Sequence, residues 1–402
     1  MFSPGAAVGN VQPYFLTQAE VDLDRSAPLE QQPGLQQITG QALQMAGVLA
    51  DFIGGAAQAV DIAIYDFRLL GGALTDTIVS AVRAAAGRGV AIRLAYDKVQ
   101  ESTDAVTLKA FADAGGDPAP VGTQSFIEAA ALPSLVQARP IEEEAIDPGH
   151  QIMHQKYLVR DPGTPDAAVL MGSANFTTDA WGIQDNNVLV ITGAPDLAAA
   201  YEQDFEDLWT TQRLARTGTG DIGSVQIGDG NAAYSFAPGE GRATEDALAE
   251  LITSAATSIR VASMVISSGK ILQALANQIN AGRDLAGVYD GPEMHGIVGD
   301  WQKSAGGSSS AHLALWRTIA SHLTAKQSLP FTATGPHNFM HDKAVVGGRR
   351  HDRDRQLQLL HQRHPARGER AAHQQRRPGH PVHGVRRRAS PQIRNGRRPG
   401  LT

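Results

Sequence analysis

HQKYLVRD, residues 154–161, sets His154, Lys156 and Asp161 at the spacing HxKxxxxD. A second copy of the pattern begins 187 residues later at His341 and Lys343, but Gly348 stands at the eighth position, where the aspartate belongs. Two histidines brought together by two similar halves of a chain would make a phosphoryl-transfer site. Both the function and its loss therefore depend on these few residues.

The complete motif has the alternation of a β-strand. Between Ile152 and Val159, alternate residues, including His154, Lys156 and Leu158, are predicted to lie on one side of the strand. A histidine can act as nucleophile or general acid, and a neighbouring ammonium can hold a phosphate oxygen. Asp161 lies beyond the strand, and we expect it to reach back and orient an imidazole, although the spacing does not show which one.

A second polar element follows eleven residues after Asp161. It is Gly172-Ser173-Ala174-Asn175, and the predicted strand Ala167–Met171 delivers it beside the motif. A small residue followed by hydroxyl and amide side chains lets donors approach phosphate oxygens closely. Ser173 and Asn175 are therefore candidate phosphate-binding residues, with an ordinary polar turn as the alternative.

Helices and strands alternate in the same order in both halves of the chain. The first half has predicted helices Gln41–Gly54 and Leu74–Ala86 and predicted strands Val60–Tyr65 and Val90–Tyr96. The second has predicted helices Ala243–Ala256 and Lys270–Ile279 and predicted strands Ile259–Ile266 and Leu285–Tyr289. Such alternation predicts an α/β fold with mixed sheets, here in duplicate.

Composition shifts divide the chain into four parts. A polar arm, residues 1–40, precedes a first α/β domain at 41–216, which includes a helix predicted at Asp196–Thr210. The Thr- and Gly-rich segment Thr217–Gly230 is the predicted boundary. A second domain follows at 231–348, and residues 349–402 form a basic tail.

Several classes of protein are excluded by composition. The 402 residues include no cysteine, which rules out disulfides, thiolate catalysis and cysteine-based metal sites. The N-terminus has no pattern of a secretory signal, and no apolar stretch reaches the roughly 18 residues of a membrane span. We therefore expect a cytoplasmic protein without an integral membrane segment.

The net charge of −6 is the sum of two regions with opposite charge. Residues 349–402 carry fifteen arginines, no lysine and three acidic residues, a balance of +12, which leaves −18 for residues 1–348. An acidic body argues against non-specific binding of nucleic acid, which relies on positive charge. The tail has no apolar periodicity, and its simplest interpretation is a disordered basic segment.

HQKYLVRD with GSAN, in a duplicated α/β chain with a second HxK, resembles the phospholipase D superfamily of phosphodiesterases. The resemblance implies two α/β/α domains related by a pseudo-twofold axis around one site, with no cofactor and no metal. His154 would be the nucleophile that forms a phosphohistidine, and His341 the general acid and base. Lys156, Lys343, Ser173 and Asn175 would bind phosphate. The implied substrate is a phospholipid, hydrolysed or transferred to an alcohol, while the oligomeric state stays open.

A reading-frame shift near Gly348 is a second explanation of the tail. If Gly348 and Arg349 are encoded by GGA and CGA, displacement by one nucleotide gives aspartate at the eighth motif position. With permitted codons, residues 350–360 can then read Val-Thr-Thr-Val-Thr-Gly-Ser-Phe-Asn-Phe-Ser, which restores a second GSxN element. As written, the chain lacks this aspartate, this element and the strand that carries it, and we expect impaired activity and stability.

Two alternative functions remain open at this point. The first is a nuclease of the same superfamily, acting on nucleic acid as its substrate. The second is an inactive phospholipid-binding protein that retains the fold. A basic groove would favour nucleic acid, and an apolar entrance would favour lipid.

Overall fold

The computed structural model describes residues 1–98, 123–131, 136–142, 144–146, 149–214, 217–228, 230–304, 306–329, 335–348 and 356–359. These residues form a mixed α/β structure with one large sheet in each half of the chain. No helix among them is both long and apolar enough to cross a membrane.

The first half contains twelve described strands and five described helices. The strands are β1 Phe2–Pro4, β2 Val11–Leu16, β3 Ala59–Ile64, β4 Phe67–Arg68, β5 Ala91–Asp97, β6 Val136–Ile141, β7 Glu144–Ile146, β8 Gly149–Gln151, β9 Lys156–Arg160, β10 Ala168–Gly172, β11 Phe176–Thr177 and β12 Asn186–Ile191. The helices are α1 Leu35–Gly54, α2 Ala73–Gly87, α3 Thr123–Ala130, α4 Thr178–Gly182 and α5 Pro195–Thr211. Eight strands form one sheet in the order β1-β2-β12-β10-β9-β3-β5-β6.

Alternation along the central strands separates two hydrophobic layers in the first half. Ile62, Ile64 and Leu158 belong to the core shared with α1 and α2. Ala63 and Tyr157, which are neighbours of these residues in sequence, belong to the core shared with α5. Successive side chains of a strand point to opposite faces, so this sheet is covered by helices on both sides. The predicted α/β/α arrangement is therefore present in the first half.

The second half contains seven described strands and four described helices. The strands are β13 Ile222–Ile227, β14 Gly230–Ser235, β15 Ser258–Ser263, β16 Asp284–Asp290, β17 Leu323–Lys326, β18 Lys343–Gly347 and β19 Gln356–Leu359. The helices are α6 Gly241–Ser254, α7 Gly269–Asn280, α8 Gly291–Lys303 and α9 Gly307–Ala320. Strands β17-β16-β15-β18-β19 form the sheet in that order.

Five strands have the same order and direction in both sheets. The series β6-β5-β3-β9-β10 of the first half matches β17-β16-β15-β18-β19 of the second. In each series the first three strands are parallel and the last two pair antiparallel. The motif strands β9 and β18 thus have equivalent positions beside β3 and β15. A pseudo-twofold axis between the halves stays a prediction.

The second sheet differs from the first in how helices cover its two faces. Its described hydrophobic core joins Ile259, Val261 and Val345 to the helices on one face. On the opposite face, Arg260 is exposed and Val288 keeps 37% of its surface accessible. The predicted second helical layer is absent from the described residues of this half, because the chain that would follow β19 lies outside them.

Three sequence predictions need correction. The arm at residues 1–40 is not separate from the first domain, because β2 pairs antiparallel with β12 and extends its sheet. The boundary segment Thr217–Gly230 contains β13, which forms a hairpin with β14. The strand expected to be lost after β18 is also present, since β19 pairs antiparallel with it. The other tail residues, 349–355 and 360–402, lie outside the described part.

Candidate active site

The two motif histidines meet between the halves of the chain. His154 lies two residues before the start of β9, and His341 lies two residues before the start of β18. Their ring centroids are 6.4 Å apart and the rings are inclined by 73°. His154 is 8% exposed and His341 only 1%, so both imidazoles lie in a largely desolvated position. The arrangement can present two imidazoles to one small group.

A backbone bridge between the halves positions His341. The amide N–H of Asp185 donates to the carbonyl of Phe339 over 3.0 Å, and the N–H of His341 donates to the carbonyl of Asp185 over 2.9 Å. The Asp185 carboxylate also pairs with Lys326 of β17 at 2.6 Å. The segment before β18 is therefore held against the start of β12.

A carboxylate fixes the backbone ahead of each histidine. The N–H of Met153 donates to Asp97 at the end of β5 over 2.7 Å. The N–H of Met340 donates to Asp290 at the end of β16 over 2.9 Å. Burial raises the pKa of Asp290, although the N–H groups of Met340 and Glu293 act in the opposite direction. Because Met153 bonds to a side chain instead of a strand, β9 begins at Lys156 and not at Ile152 as predicted.

The two lysines make equivalent contacts. Nζ of Lys156 donates to the carbonyl of His154 over 3.1 Å, and Nζ of Lys343 donates to the carbonyl of His341 over 2.9 Å. Each ammonium thus folds back beside the histidine of its own motif. Lys156 is 2% exposed, and its Nζ lies 5.0 Å from the centroid of the Tyr65 ring. The same Tyr65 ring packs edge-on against His154 with centroids 4.7 Å apart.

Asn186 contacts the imidazole of His341. Its Oδ1 lies 3.0 Å from Nδ1 of His341 and accepts a hydrogen bond from Ser173 Oγ over 2.9 Å. The Ser173 hydroxyl thus donates to Asn186 in this structure, and its predicted role as a phosphate donor stays a prediction. Asn175 is partly buried, and its Oδ1 has no hydrogen-bond partner among the described residues. This unpartnered atom is an acceptor, whereas a phosphate oxygen would need the Nδ2 donor of the same amide.

Asp161 lies away from both imidazoles. Its carboxylate accepts hydrogen bonds from the backbone N–H groups of Ala57, Gln58 and Ala59 at 2.7 to 3.1 Å. The six residues between His154 and Asp161 span roughly 20 Å when extended. The expectation that Asp161 orients an imidazole is wrong, because it anchors the turn before β3 at the far end of β9.

Gly348 occupies the equivalent position in the second half. Its N–H donates to the carbonyl of Ser258 over 2.7 Å, as that of Asp161 does to Ala59 over 2.9 Å. The carbonyl of Gly348 accepts the N–H groups of Ala256 and Thr257 over 2.8 and 3.2 Å. A backbone oxygen here satisfies donors that a carboxylate satisfies in the first half. We therefore expect the missing aspartate to affect the stability of the second half and not the contacts of the imidazoles.

A charged cluster from both halves lies near the GSAN turn. His337 Nδ1 is 3.5 Å from the Asp179 carboxylate, and Thr177 also bonds to that carboxylate. Burial acts to raise the pKa of Asp179, but the hydrogen bond from His337 and the charge of Arg68 outweigh it and lower the pKa overall. Asp179 is thus held as an anion beside two basic side chains.

Sequence reasoning missed Asn186, Tyr65 and the paired carboxylates of Asp97 and Asp290. Asp97 and Asp290 each end a repeated strand, which is the signal that could have identified them. Asn186 lies eleven residues beyond Asn175 and outside the motif, so only the assembled halves reveal its contact. The described residues contain no group of three or more His, Cys, Asp or Glu side chains arranged to hold a metal ion.

The structure thus brings together two imidazoles, each beside the lysine of its own motif. Residues 49–209 match the family model described as "Cardiolipin synthase, PLD-like domain". This part of the chain, with the His154 motif, belongs to the phospholipase D superfamily. Members of the superfamily are phosphodiesterases and phosphotransferases, which gives the general class of its chemistry.

The solved structures similar to the chain resemble it weakly. Nuc from Salmonella typhimurium, a phospholipase D family member, is 22% identical, with 40% of this chain and 85% of Nuc covered and a TM-score of 0.28. NucT from Helicobacter pylori is 20% identical, with 42% and 91% covered and a TM-score of 0.31. Phosphatidylserine synthase from Haemophilus influenzae is 10% identical, with 77% and 74% covered and a TM-score of 0.46. No curated protein sequence matches the chain.

Proposed function

We propose that the chain is a phospholipase D-type phosphodiesterase that hydrolyses phospholipid headgroups or transfers them to an alcohol. The observation that carries the proposal is the approach of His154 and His341 to 6.4 Å between ring centroids, each beside a motif lysine. One imidazole attacks phosphorus and the other protonates the leaving oxygen. Water or an alcohol then attacks the phosphohistidine, and the second imidazole accepts its proton.

The lysines supply the charge that this reaction needs. Lys156 and Lys343 are the first residues of β9 and β18, and both ammonium groups fold back toward the histidine backbone of their own motif. A lysine ammonium is a compact charge that can bind a non-bridging phosphate oxygen. Low solvent exposure strengthens this attraction because little water competes with it. Asn175 is the proposed neutral donor to the same phosphate.

Charge favours a lipid over a nucleic acid as the substrate. Residues 1–348 have a balance of −18, which disfavours the approach of a polyanion. A single headgroup phosphodiester requires only the local charge of the two lysines. Nucleic acid is therefore the second candidate, and a binding protein without turnover is the third.

A direct comparison of substrates tests this function. Purified protein of verified sequence is incubated with phosphatidylcholine vesicles and with labelled DNA, next to His154→Ala and the exposed-residue control His322→Ala. We expect release of choline by the wild type and the control, and a loss of at least about 10³-fold in His154→Ala. Cleavage of DNA alone would favour the nuclease. Retained vesicle binding without release from either substrate would favour the binding protein.

A further inference from the structure

A pocket in the second half lies between the sheet and its covering helices. It is bordered by β15 and β18 on one side and by α6 and α7 on the other, and it holds about 370 Å³ of space, its open mouth included. The mouth is lined by the partly exposed residues Ser263, Val265 and Ser268. The floor consists of buried apolar side chains, namely Leu248, Ile252, Val261, Ile271, Leu275 and Val345. The pocket is therefore open to solvent and apolar inside.

Two hydroxyl groups at the mouth are bonded within the protein. Ser263 Oγ donates to the carbonyl of Val265 over 2.8 Å, and Ser268 Oγ donates to the Glu245 carboxylate. The backbone N–H of Ile271 also donates to Ser268 Oγ over 3.3 Å, which caps the start of α7. Both hydroxyl hydrogens are thus used internally, and the buried walls are hydrocarbon. The chemistry of this pocket suits an apolar group.

The equivalent space in the first half is filled. Ile64 lies opposite Lys156 on neighbouring strands, and Ser263 lies opposite Lys343 in the same way. Ile64 is fully buried, whereas the shorter Ser263 is partly exposed. Three residues beyond Ile64, Phe67 packs its ring against two further aromatic rings of the first core, with centroids 4.9 and 5.5 Å apart. The pocket is therefore a feature in which the second half departs from the first.

The pocket begins beside the lysine of the second motif. Lys343 and Val345 alternate with Ala344 along β18, so their side chains point to the same face of the sheet, and Val345 lines the pocket. Ser263, opposite Lys343, lines the mouth. Lys343 is also partly exposed, whereas Lys156 is only 2% exposed. The organic part of a phosphate ester that binds at Lys343 would therefore lie next to this mouth.

We propose that the pocket binds part of the alkyl chain of a phosphate ester whose phosphate lies at Lys343. The proposal rests on the proposed function for the position of the phosphate. It adds a site for the lipid chain, which favours a phospholipid over a nucleic acid. The pocket takes a short stretch of the chain, and the remainder stays outside the mouth. Transfer of methylene groups from water to the apolar walls supplies the affinity.

Alkyl phosphates test the pocket without any need for turnover. Binding of methyl, butyl and hexyl phosphate to the full-length chain is measured by isothermal titration calorimetry. We expect the affinity of the wild type to rise roughly two- to fourfold with each methylene group that enters the pocket. Two filling variants, Ser263→Ile and Val265→Phe, should abolish this rise and leave the affinity for methyl phosphate unchanged. Val288→Phe, an enlargement on the opposite face of the sheet, should retain the rise.

Three results would overturn the proposal. The first is equal affinity of the wild type for the three esters. The second is a dependence on chain length that the filling variants retain, with thermal melting used to show that each variant folds; one folded variant is sufficient for this comparison. The third is binding of thymidine monophosphate that is tighter than that of hexyl phosphate and is lost in the filling variants, which would assign the pocket to a nucleotide.

Turnover of phosphatidylcholine judges the proposed function separately. A dependence on chain length that the filling variants abolish, without release of choline by the wild type, would support the pocket and overturn the phosphodiesterase. Release of choline together with equal affinities for the three esters would support the phosphodiesterase and overturn the pocket.

Discussion

Oδ1 of Asn186 lies 3.0 Å from Nδ1 of His341, so a residue of the first half orients the imidazole of the second. The contact places an amide where a carboxylate would bond an imidazolium more strongly. The protonation of His341 should therefore respond to this one side chain, and several properties of the site can be tested through it and through the anchors around it.

Asn186→Asp should change the pH dependence of the reaction in a diagnostic direction. A carboxylate beside His341 favours the imidazolium and raises the pKa of His341 by about one unit or more. If neutral His341 is the nucleophile, the acidic limb of kcat/KM moves to higher pH by a similar amount. A shift of the alkaline limb instead would identify His341 as the acid. Gln184→Glu is the matched control, because Gln184 bonds to Asn186 but has no hydrogen bond to His341 among the described contacts.

Asp161→Asn should weaken the fold far more than the chemistry. The substitution removes the charge that accepts N–H groups from Ala57, Gln58 and Ala59. Hydrogen bonds to charged groups contribute about 1.5 to 3 kcal/mol each, so a loss of about 2 to 3 kcal/mol in the free energy of unfolding is expected. Urea denaturation measures the loss. Activity per folded molecule falling as far as in His154→Ala would contradict the anchoring role.

Gly348→Ala and Gly348→Asp should both destabilise the chain. A β-carbon at this position would lie 2.4 Å from Ser258 Oγ and 2.6 Å from Thr257 Oγ1, so both hydroxyls would have to move. We expect a loss of about 1 to 2 kcal/mol, in the range of overpacking substitutions. Combination with Ser258→Ala should recover part of that loss in urea denaturation. If Gly348→Asp alone raised stability, a carboxylate would be able to replace the backbone carbonyl directly.

Glu202→Gln should flatten the pH dependence of stability. Burial first, and the nearby Asp61 carboxylate second, raise the pKa of Glu202 from 4.5 to about 8, although Arg93 acts against them. The folded protein therefore holds a proton that the unfolded chain releases, and stability is lost as pH rises from about 4.5 through 8. Urea denaturation at intervals between pH 5 and 9 should show this slope in the wild type and not in Glu202→Gln. Glu206→Gln, at a second carboxylate paired with Arg93, should retain the slope.

The gene should contain the missing motif in another frame. Read one nucleotide out of register from about codon 348, the nucleotide sequence is expected to encode aspartate at that position and then Gly-Ser-Phe-Asn-Phe-Ser. Sequencing the gene checks this directly. Any other displaced sequence there would refute the frameshift, and β19 would then be the strand that the intended protein forms.

Local patterns predicted the central elements well. The helices and strands around β3, β5, β15 and β16 follow from apolar periodicity. The predicted helix Leu74–Ala86 matches α2 to within one residue at each end, and Gly89, just beyond it, adopts a φ of +91°. The mixed α/β class is confirmed. These features depend on neighbours in sequence, which periodicity and turn residues report.

Features that depend on distant partners were not predictable from one sequence. Val11–Leu16 contains a proline and has mixed polarity, so only its pairing with β1 and β12 identifies it as a strand of the first sheet. The spacing of Asp161 from His154 does not tell which end of the strand its carboxylate serves. Asn186 acquires its contact only because the bridge between Asp185 and Met340 joins the halves. The assignments of the individual site residues stay predictions until the variants are measured.

Under the proposed function, the bridge between Asp185 and Met340 makes activity depend on contact between the two halves of the chain. Each half holds one of the two motif histidines, and main-chain hydrogen bonds join the halves beside them. If a polypeptide contained one half alone, a second molecule would have to supply the other motif histidine. The intact chain carries both partners covalently, so its centre can form at any dilution at which the chain folds.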